Sequence, residues 1–566
     1  MEQYQRFETD LINFLASDPN ESLSLGLAKN LNDLPEPSIE NCSARAKQAQ
    51  NLINQINQLK QTTTDFNQLT DLQLSELHLS KIVHRYQRRF NGRLEIAQHP
   101  TAGNDISEGI FTLFVDDPRS ASDRLENISS RIANIPTFLH GMLARLDTPV
   151  KRWQSIDLET VAVLPTLFKA ITDWATEQQF SGLNELKKHI AQADTALNHY
   201  QRQLSQLPTT DHFALSVGDA QQVVHNHGID LSFNELKTLA ANFLHRTQKQ
   251  IDELSQTLIK KYQLPTETTP ESLHQFLNKH YQVQLTNNDL HSIIDIYKQE
   301  NQKIINFINK HDLFPIFADQ QMLIEQTPKF LEPVIPAGAM RSPLPLREGT
   351  RTSLIHLTLR EDIIDEHNML GIPVMMIHEG IPGHHLQLAT STTHSSKIRR
   401  IIFAPEQAEG WTTMLEDYML DIGYMGDLTD EARFIAKREI CRIGARVAID
   451  LFFLTGNKQF LDVGIPLQTP TNDPFSIAGE LLQKVTGFTD GRVQAELNWY
   501  STERGYPMCY LVGNQLVWQL KQDFIKKQQS TLSGNALDRA FHQAFLATGN
   551  MPVSMVREVF AQQQLI

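Results

Sequence analysis

The stretch LTDLQLSELHLSKIVHRYQRRF, residues 69–90, sets the texture of the first half of the chain. Leu69, Leu72, Leu77 and the Ile82–Val83 pair recur at three- to five-residue steps. That spacing predicts a helix with one apolar stripe and polar residues opposite. The same period runs through NLINQINQLKQ (51–61), LNELKKHIAQADTALNHYQRQL (183–204) and FNELKTLAANFLHRTQKQIDELSQTLIKKY (233–262). Breaks fall at LPEPSIENCS (34–43), HPTAGND (99–105), QLPTTD (206–211) and LPTETTPES (264–272), where proline, glycine and small polar residues favour turns. Strand-like alternation is scarce and no fixed repeat period is present, which argues against a solenoid. The expected fold is therefore mainly α.

From about residue 325 the texture changes. TPKFLEPVIPAGAMRSPLPLREGTR (327–351) carries prolines at 328, 333, 336, 343 and 345, which forbid a regular helix and predict an irregular crossing. RTSLIHLTL (351–359) is the best strand candidate, short and partly alternating. A helix is expected over EDIIDEHNMLGIPVMMIHEG (361–380), with Pro373 near the first turn of its second half. QAEGWTTMLEDYMLDIGY (407–424), ARFIAKREICRIGARVAIDLFFL (432–454) and CYLVGNQLVWQLKQDFIKK (509–527) predict further helices. These shifts divide the chain into a helical N-terminal region, 1–315, and a region carrying the candidate site, 316–566, packed as one body around a central cleft.

Bulk properties narrow the function classes. At 566 residues with 40% hydrophobic content, the chain has ample material for a core. A formal charge of −14 argues against a nucleic-acid-binding surface, which needs a concentrated basic excess. Three scattered cysteines, Cys42, Cys441 and Cys509, offer neither a C-x-x-C pair nor a disulfide framework and are expected to be small buried residues. No apolar run approaches the ~18 residues that span a bilayer. The N-terminus lacks a basic region followed by an apolar core, so a cytoplasmic location is expected, or an exported or lipoprotein form if a leader has been removed.

The chemistry concentrates in MMIHEGIPGHHLQLA (375–389). Two histidines spaced i, i+4 on a helix can share one metal ion, with a glutamate beside the first facing the bound water. Here His378 and Glu379 supply the first half, and the second histidine is His384 or His385, six or seven residues on. On an unbroken helix neither position works: i+6 points away, and i+7 sits about 10 Å along the axis. Gly380-Ile381-Pro382-Gly383 would have to bulge or kink the helix, absorbing two or three extra residues, to restore a shared face. A third ligand should come from another segment, and EGWTTMLEDY (409–418) offers Glu409 and Glu416 at i, i+7. Only one can reach the ion; Glu409 is favoured, because Gly410 permits close backbone approach. Glu416 would then orient a histidine or lie on a helix face. His225, His227 and His542 have no partner spacing and are expected to be structural.

HEGIPGHHLQ followed by EGW resembles the bacterial domain of unknown function 885 family, whose members look like helical zinc metallopeptidases of the H-E-x-x-H and distal-glutamate kind. The resemblance extends through TPKFLEP (327–333), ARVAID (445–450), GYPMCYLVG (505–513) and FHQAFLATGNMP (541–552). It implies a large helical zincin-like body with a small β element beside the site helix. It further implies one Zn2+ per chain on His378, His384 and Glu409, with His385 as the alternative second ligand and Glu379 as general base. The expected function is hydrolysis of peptides or small amides; the alternative is an inactive zinc-binding scaffold for a peptide or protein partner. A carboxylate-bridged di-iron site is disfavoured, since the paired E-x-x-H motifs it uses are not repeated. Tyr510 would donate to the oxyanion. His385 and Arg446 would contact substrate, Arg446 either gripping a terminal carboxylate or pairing with Asp450 one turn on. The chain departs from the family at Arg504-Gly505-Tyr506, where Pro-Gly-Gln is common, and at Leu454, near which a histidine is usual.

Overall fold

The computed structural model describes residues 2–327, 338–361, 364 and 367–566. The prolines at 328, 333 and 336, most of the TPKFLEP block and part of the expected helix at 361–370 lie outside the described residues. Helices dominate, and the sequence periods locate them closely. The helices Ile39–Lys60, Leu183–Gln206, Phe233–Lys261 and Cys509–Gln528 contain the stretches read above. Their ends follow local chemistry. Ser232 and Glu235 form a reciprocal capping box at the start of Phe233–Lys261. Gly456 ends the helix Thr429–Thr455 in the left-handed conformation that its missing Cβ permits.

The stretch 69–90 is helical to Gln87, yet its buried face is not the one its leucines suggest. Leu72, Leu74 and Leu79 are buried, whereas Leu69, Leu77, Ile82 and Val83 are only partly covered. The difference comes from Asp71, which turns inward to accept from Arg399 Nε at 2.5 Å and from the Tyr4 hydroxyl at 2.6 Å. A buried, paired charge fixes the rotation of a helix that hydrophobicity alone leaves loosely specified.

The small β element is a three-stranded mixed sheet. The expected strand, Arg351–Leu357, lies at its centre. It pairs in parallel with Gln320–Gln326, from Gln320↔Arg351 to Gln326↔Leu357, and antiparallel with Gly338–Arg341, from Gly338↔Leu357 to Arg341↔Leu354. Apolar side chains gather in three large clusters. One is confined to residues 23–204, while the other two join residues from both sides of position 315. All three cysteines are buried and free. Among the described residues, no helix is long and apolar enough to cross a membrane.

Candidate metal centre

The motif breaks where proline and glycine interrupt it. The helix Gly371–Glu379 ends, four residues turn, and a second helix, His384–Ser391, begins. The Ile381–Pro382 peptide is cis. Gly383 is obligatory at this turn: a Cβ there would lie 2.0 Å from the His378 carbonyl oxygen and 2.3 Å from that of Ile377. The sequence left open a bulge or a kink; the structure has a full break, with His378 near the end of one helix and His384 opening the next. Trp411 fastens the turn to the helix Pro405–Asp421, donating from Nε1 to the Pro382 carbonyl at 3.0 Å.

The result brings three side chains to one point. His384 Nε2 lies 3.4 Å from Glu409 Oε2, and His378 Nε2 lies 3.7 Å from the same oxygen. The imidazoles stand nearly perpendicular, their centroids 4.9 Å apart. Bonds of about 2.0–2.1 Å in a tetrahedral zinc site place ligand atoms roughly 3.4 Å from one another. The candidate ligand atoms all lie within 4.8 Å of one another, so modest contraction onto an ion would complete the set.

The electrostatics favour a cation there. Glu409 Oε2 is buried without a hydrogen-bond partner, a costly arrangement for a carboxylate oxygen unless something positive sits opposite. Burial would raise the Glu409 pKa, but His384, His378 and the Tyr506 hydroxyl hold it down to about 2. Burial likewise opposes charge on His378, yet the Glu416 hydrogen bond and the charges of Glu379, Glu416 and Glu409 raise its pKa to about 9. Three carboxylates around two imidazoles form a cation-attracting centre. The donor set, two nitrogens and a carboxylate, suits zinc.

Supporting contacts sort the remaining candidates. Glu416 Oε1 lies 2.7 Å from His378 Nδ1, an arrangement that fixes the tautomer and leaves Nε2 for an ion. His384 Nδ1, by contrast, is buried with no partner. His385 points elsewhere, as adjacent residues on a helix must. Its Nδ1 bonds Ser353 Oγ at 2.7 Å and its Nε2 meets Gln320 Oε1, so it pins the second motif helix to two strands of the sheet. Fully buried with both nitrogens occupied, His385, expected as alternative ligand or substrate contact, is not among the side chains that converge with Glu409. The Arg446–Asp450 pair is also absent. Arg446 donates to Tyr500 at 2.9 Å and Glu496 at 2.8 Å, and lies 4.3 Å over the Tyr510 ring. Asp450 instead accepts the backbone N–H groups of Gly505 and Met508.

Tyr506 is the contact that sequence reasoning missed. Its hydroxyl donates to Glu409 Oε1 at 2.9 Å, which leaves Oε2 to face the histidines. Tyr510 lies four residues on, in the first turn of the helix Cys509–Gln528, its ring centroid 6.1 Å from that of Tyr506. Burial and the nearby Glu409 carboxylate raise the pKa of its hydroxyl. The helices carrying Glu409 and Tyr510 touch backbone to backbone. A Cβ on Gly410 would lie 2.3 Å from the Gly513 carbonyl carbon, and one on Gly513 only 1.9 Å from the Glu406 oxygen. The sequence supplied Gly410; its partner glycine, 103 residues away in a different helix, carries no local signal. Glu379 lines a cavity of about 930 Å³, whose wall also includes Met340, Ile355, Leu357 and Met375 and the polar side chains of His274, Arg438 and Arg492.

A helical body with a His-His-Glu cluster beside a large cleft defines the class of fold and site. The chain belongs to the bacterial family of proteins of unknown function known as DUF885, whose family model matches residues 19–559. Two solved structures share the fold. One is a candidate lipoprotein of unknown function from Shewanella oneidensis, 16% identical with a TM-score of 0.76, the match covering 99% of each chain. The other is a candidate lipoprotein from Colwellia psychrerythraea, 15% identical with a TM-score of 0.77, covering 100% of this chain and 99% of that one. No curated protein sequence matches the chain.

Proposed function

We propose that the protein is a zinc-dependent hydrolase that cleaves peptides or small amides. The observation that carries this reading is the convergence of His378 Nε2, His384 Nε2 and Glu409 Oε2 next to a glutamate that lines a cleft. Bound zinc would supply a water of lowered pKa and polarise the scissile carbonyl. The protein's own groups do the rest. Glu379, adjacent in sequence to one ligand and open to the cavity, takes the proton from the attacking water and returns it to the leaving amine. Tyr510 donates to the developing oxyanion. Tyr506 and Glu416 hold Glu409 and His378 in position, and the cleft excludes bulk water from the reacting bond. With about 930 Å³ of space, the cavity accommodates several residues of an extended peptide. A lipoprotein form, the description that both structural neighbours carry, belongs to the same proposal.

The test is digestion of a mixed peptide library by the protein as purified, by chelator-treated protein restored with zinc, and by Glu379→Gln. Cleavage is expected in the first two and should be lost in the variant while zinc is retained. An undiminished Glu379→Gln digest would overturn the mechanism; no cleavage by zinc-loaded protein would favour a binding scaffold.

A further inference from the structure

A second chamber lies away from the cleft, against the segment Thr502–Arg504. Two cavities of about 460 and 300 Å³ share Arg85, Glu95, His99, Thr101, Asp105 and Glu108 as lining and so lie side by side. Each alone is large enough for a small ligand. The charged side chains on its walls fall into two groups. Some are spent on one another: Arg88 is bonded twice to Glu95, and Arg45 pairs with Glu21 at 3.0 Å. These pairs build the wall.

Others make no direct ion pair, although Glu503 lies near enough to Lys81 and Arg85 to interact with both through space. Among the described residues, Lys81, Arg85 and Arg145 have no carboxylate within ion-pair distance, and neither Glu108 nor Glu503 has a cation there. Lys81 is placed deliberately. Its ammonium contacts His227 Nε2 at 3.2 Å, while His227 Nδ1 donates to the Val223 carbonyl at 2.9 Å. That tautomer offers Lys81 a lone pair without a countercharge, so the lysine is oriented but not neutralised. Gly505 permits this packing, since a Cβ there would stand 2.8 Å from the His227 ring. Arg145 is 91% buried, bonds oxygens of Pro37, His99 and Thr101, lies beside the Cys42 thiol, and leaves its Nε without a partner. Arg504, buried in the same wall, has an orphaned Nη1, 3.7 Å from Glu95. Buried donors without hydrogen-bond partners, beside charges of both signs that make no direct ion pair, are in a concave space features of a ligand site.

We propose that this chamber binds a small zwitterion with a free carboxylate and a free ammonium, an α-amino acid or short unblocked peptide. Lys81, Arg85 and Arg145 face its carboxylate, and Glu108 and Glu503 face its ammonium. The site is independent of the metal centre and stands whether or not the protein is a peptidase.

The experiment is calorimetric titration of metal-free, full-length protein with alanyl-alanine, its N-acetyl and C-amide derivatives, free alanine and inorganic phosphate. Arg85→Ala and Glu503→Gln are titrated in parallel; both side chains are exposed and make no ion pair, so folding should survive, as circular dichroism would verify. Saturable binding of alanyl-alanine is expected, weakened about tenfold or more by either blocking group and by either substitution. The ratio of alanine to alanyl-alanine affinity then distinguishes an amino-acid from a peptide ligand. Absence of saturable binding, binding indifferent to both substitutions, or binding of phosphate alone would each overturn the proposal. A protein that binds the dipeptide yet digests no library peptide keeps this site and loses the hydrolase reading; the converse pair of results does the reverse.

Discussion

The helix Pro405–Asp421 touches two clusters that contain histidine, and they differ in kind. Behind it, His542 stacks on Phe314, the rings 4.1 Å apart and 5° from parallel. Its Nδ1 donates to the Leu313 carbonyl at 2.8 Å, and its Nε2 accepts from Lys521, which also pairs with Asp538 at 2.9 Å. Every polar atom of that imidazole is used, and burial holds its pKa far below the ordinary value. Before the helix, His378 and His384 present nitrogens toward one carboxylate oxygen that has no hydrogen-bond partner. A buried histidine is therefore not a site by itself. What distinguishes the second cluster is convergence combined with unmet valence, and carboxylates in excess over imidazoles.

That contrast can be broken by experiment. The largest expected effect is on turnover: Glu379→Gln should lower hydrolysis by about 10²–10⁴-fold with metal content unchanged, measured on whichever library peptide is cleaved fastest. Next, Glu416→Gln should weaken metal affinity by about 10–100-fold in a chelator competition, because it removes the group that orients His378. His542→Phe, the matched control from the other cluster, should leave that affinity alone and lower the thermal midpoint. An equal effect of both on metal would erase the distinction. Gly513→Ala should destabilise by about 1–3 kcal/mol in denaturant unfolding, since a Cβ facing the Glu406 carbonyl at 1.9 Å can be relieved only by parting two helix backbones. The smallest effect is expected from Tyr506→Phe: a loss of about three- to tenfold in metal affinity, the net worth of one hydrogen bond to the oxygen of Glu409 that faces away from the ion.

The helices were legible because their signal is local. Period, caps and breakers place Leu183–Gln206 and Phe233–Lys261 within a residue or two of the expected ends. His378 and Glu409 could be named from the residues themselves, whereas the choice of His384 over His385 came only with the family resemblance. What escaped was set by distant partners. The strand Gln320–Gln326 reads QQMLIEQ, with Ile324 its only β-branched residue, and is a strand because Arg351–Leu357 offers it an edge. Tyr506 lies in a departure from the family pattern, and nothing near it in sequence points to Glu409. His385 stands beside the histidine that converges with Glu409, and only the sheet behind it reveals its contacts. The rotation of the 66–87 helix depends on Arg399, more than three hundred residues away.

The central claim is that three side chains from three helices hold a single ion. It is tested most directly by the zinc content of protein dialysed free of loosely bound metal. About one zinc per chain is expected in the unaltered protein and in Glu379→Gln, with little in a folded Glu409→Ala variant. A zinc-free unaltered protein that takes up none on titration, or a Glu409→Ala variant that keeps its full complement, would contradict the account.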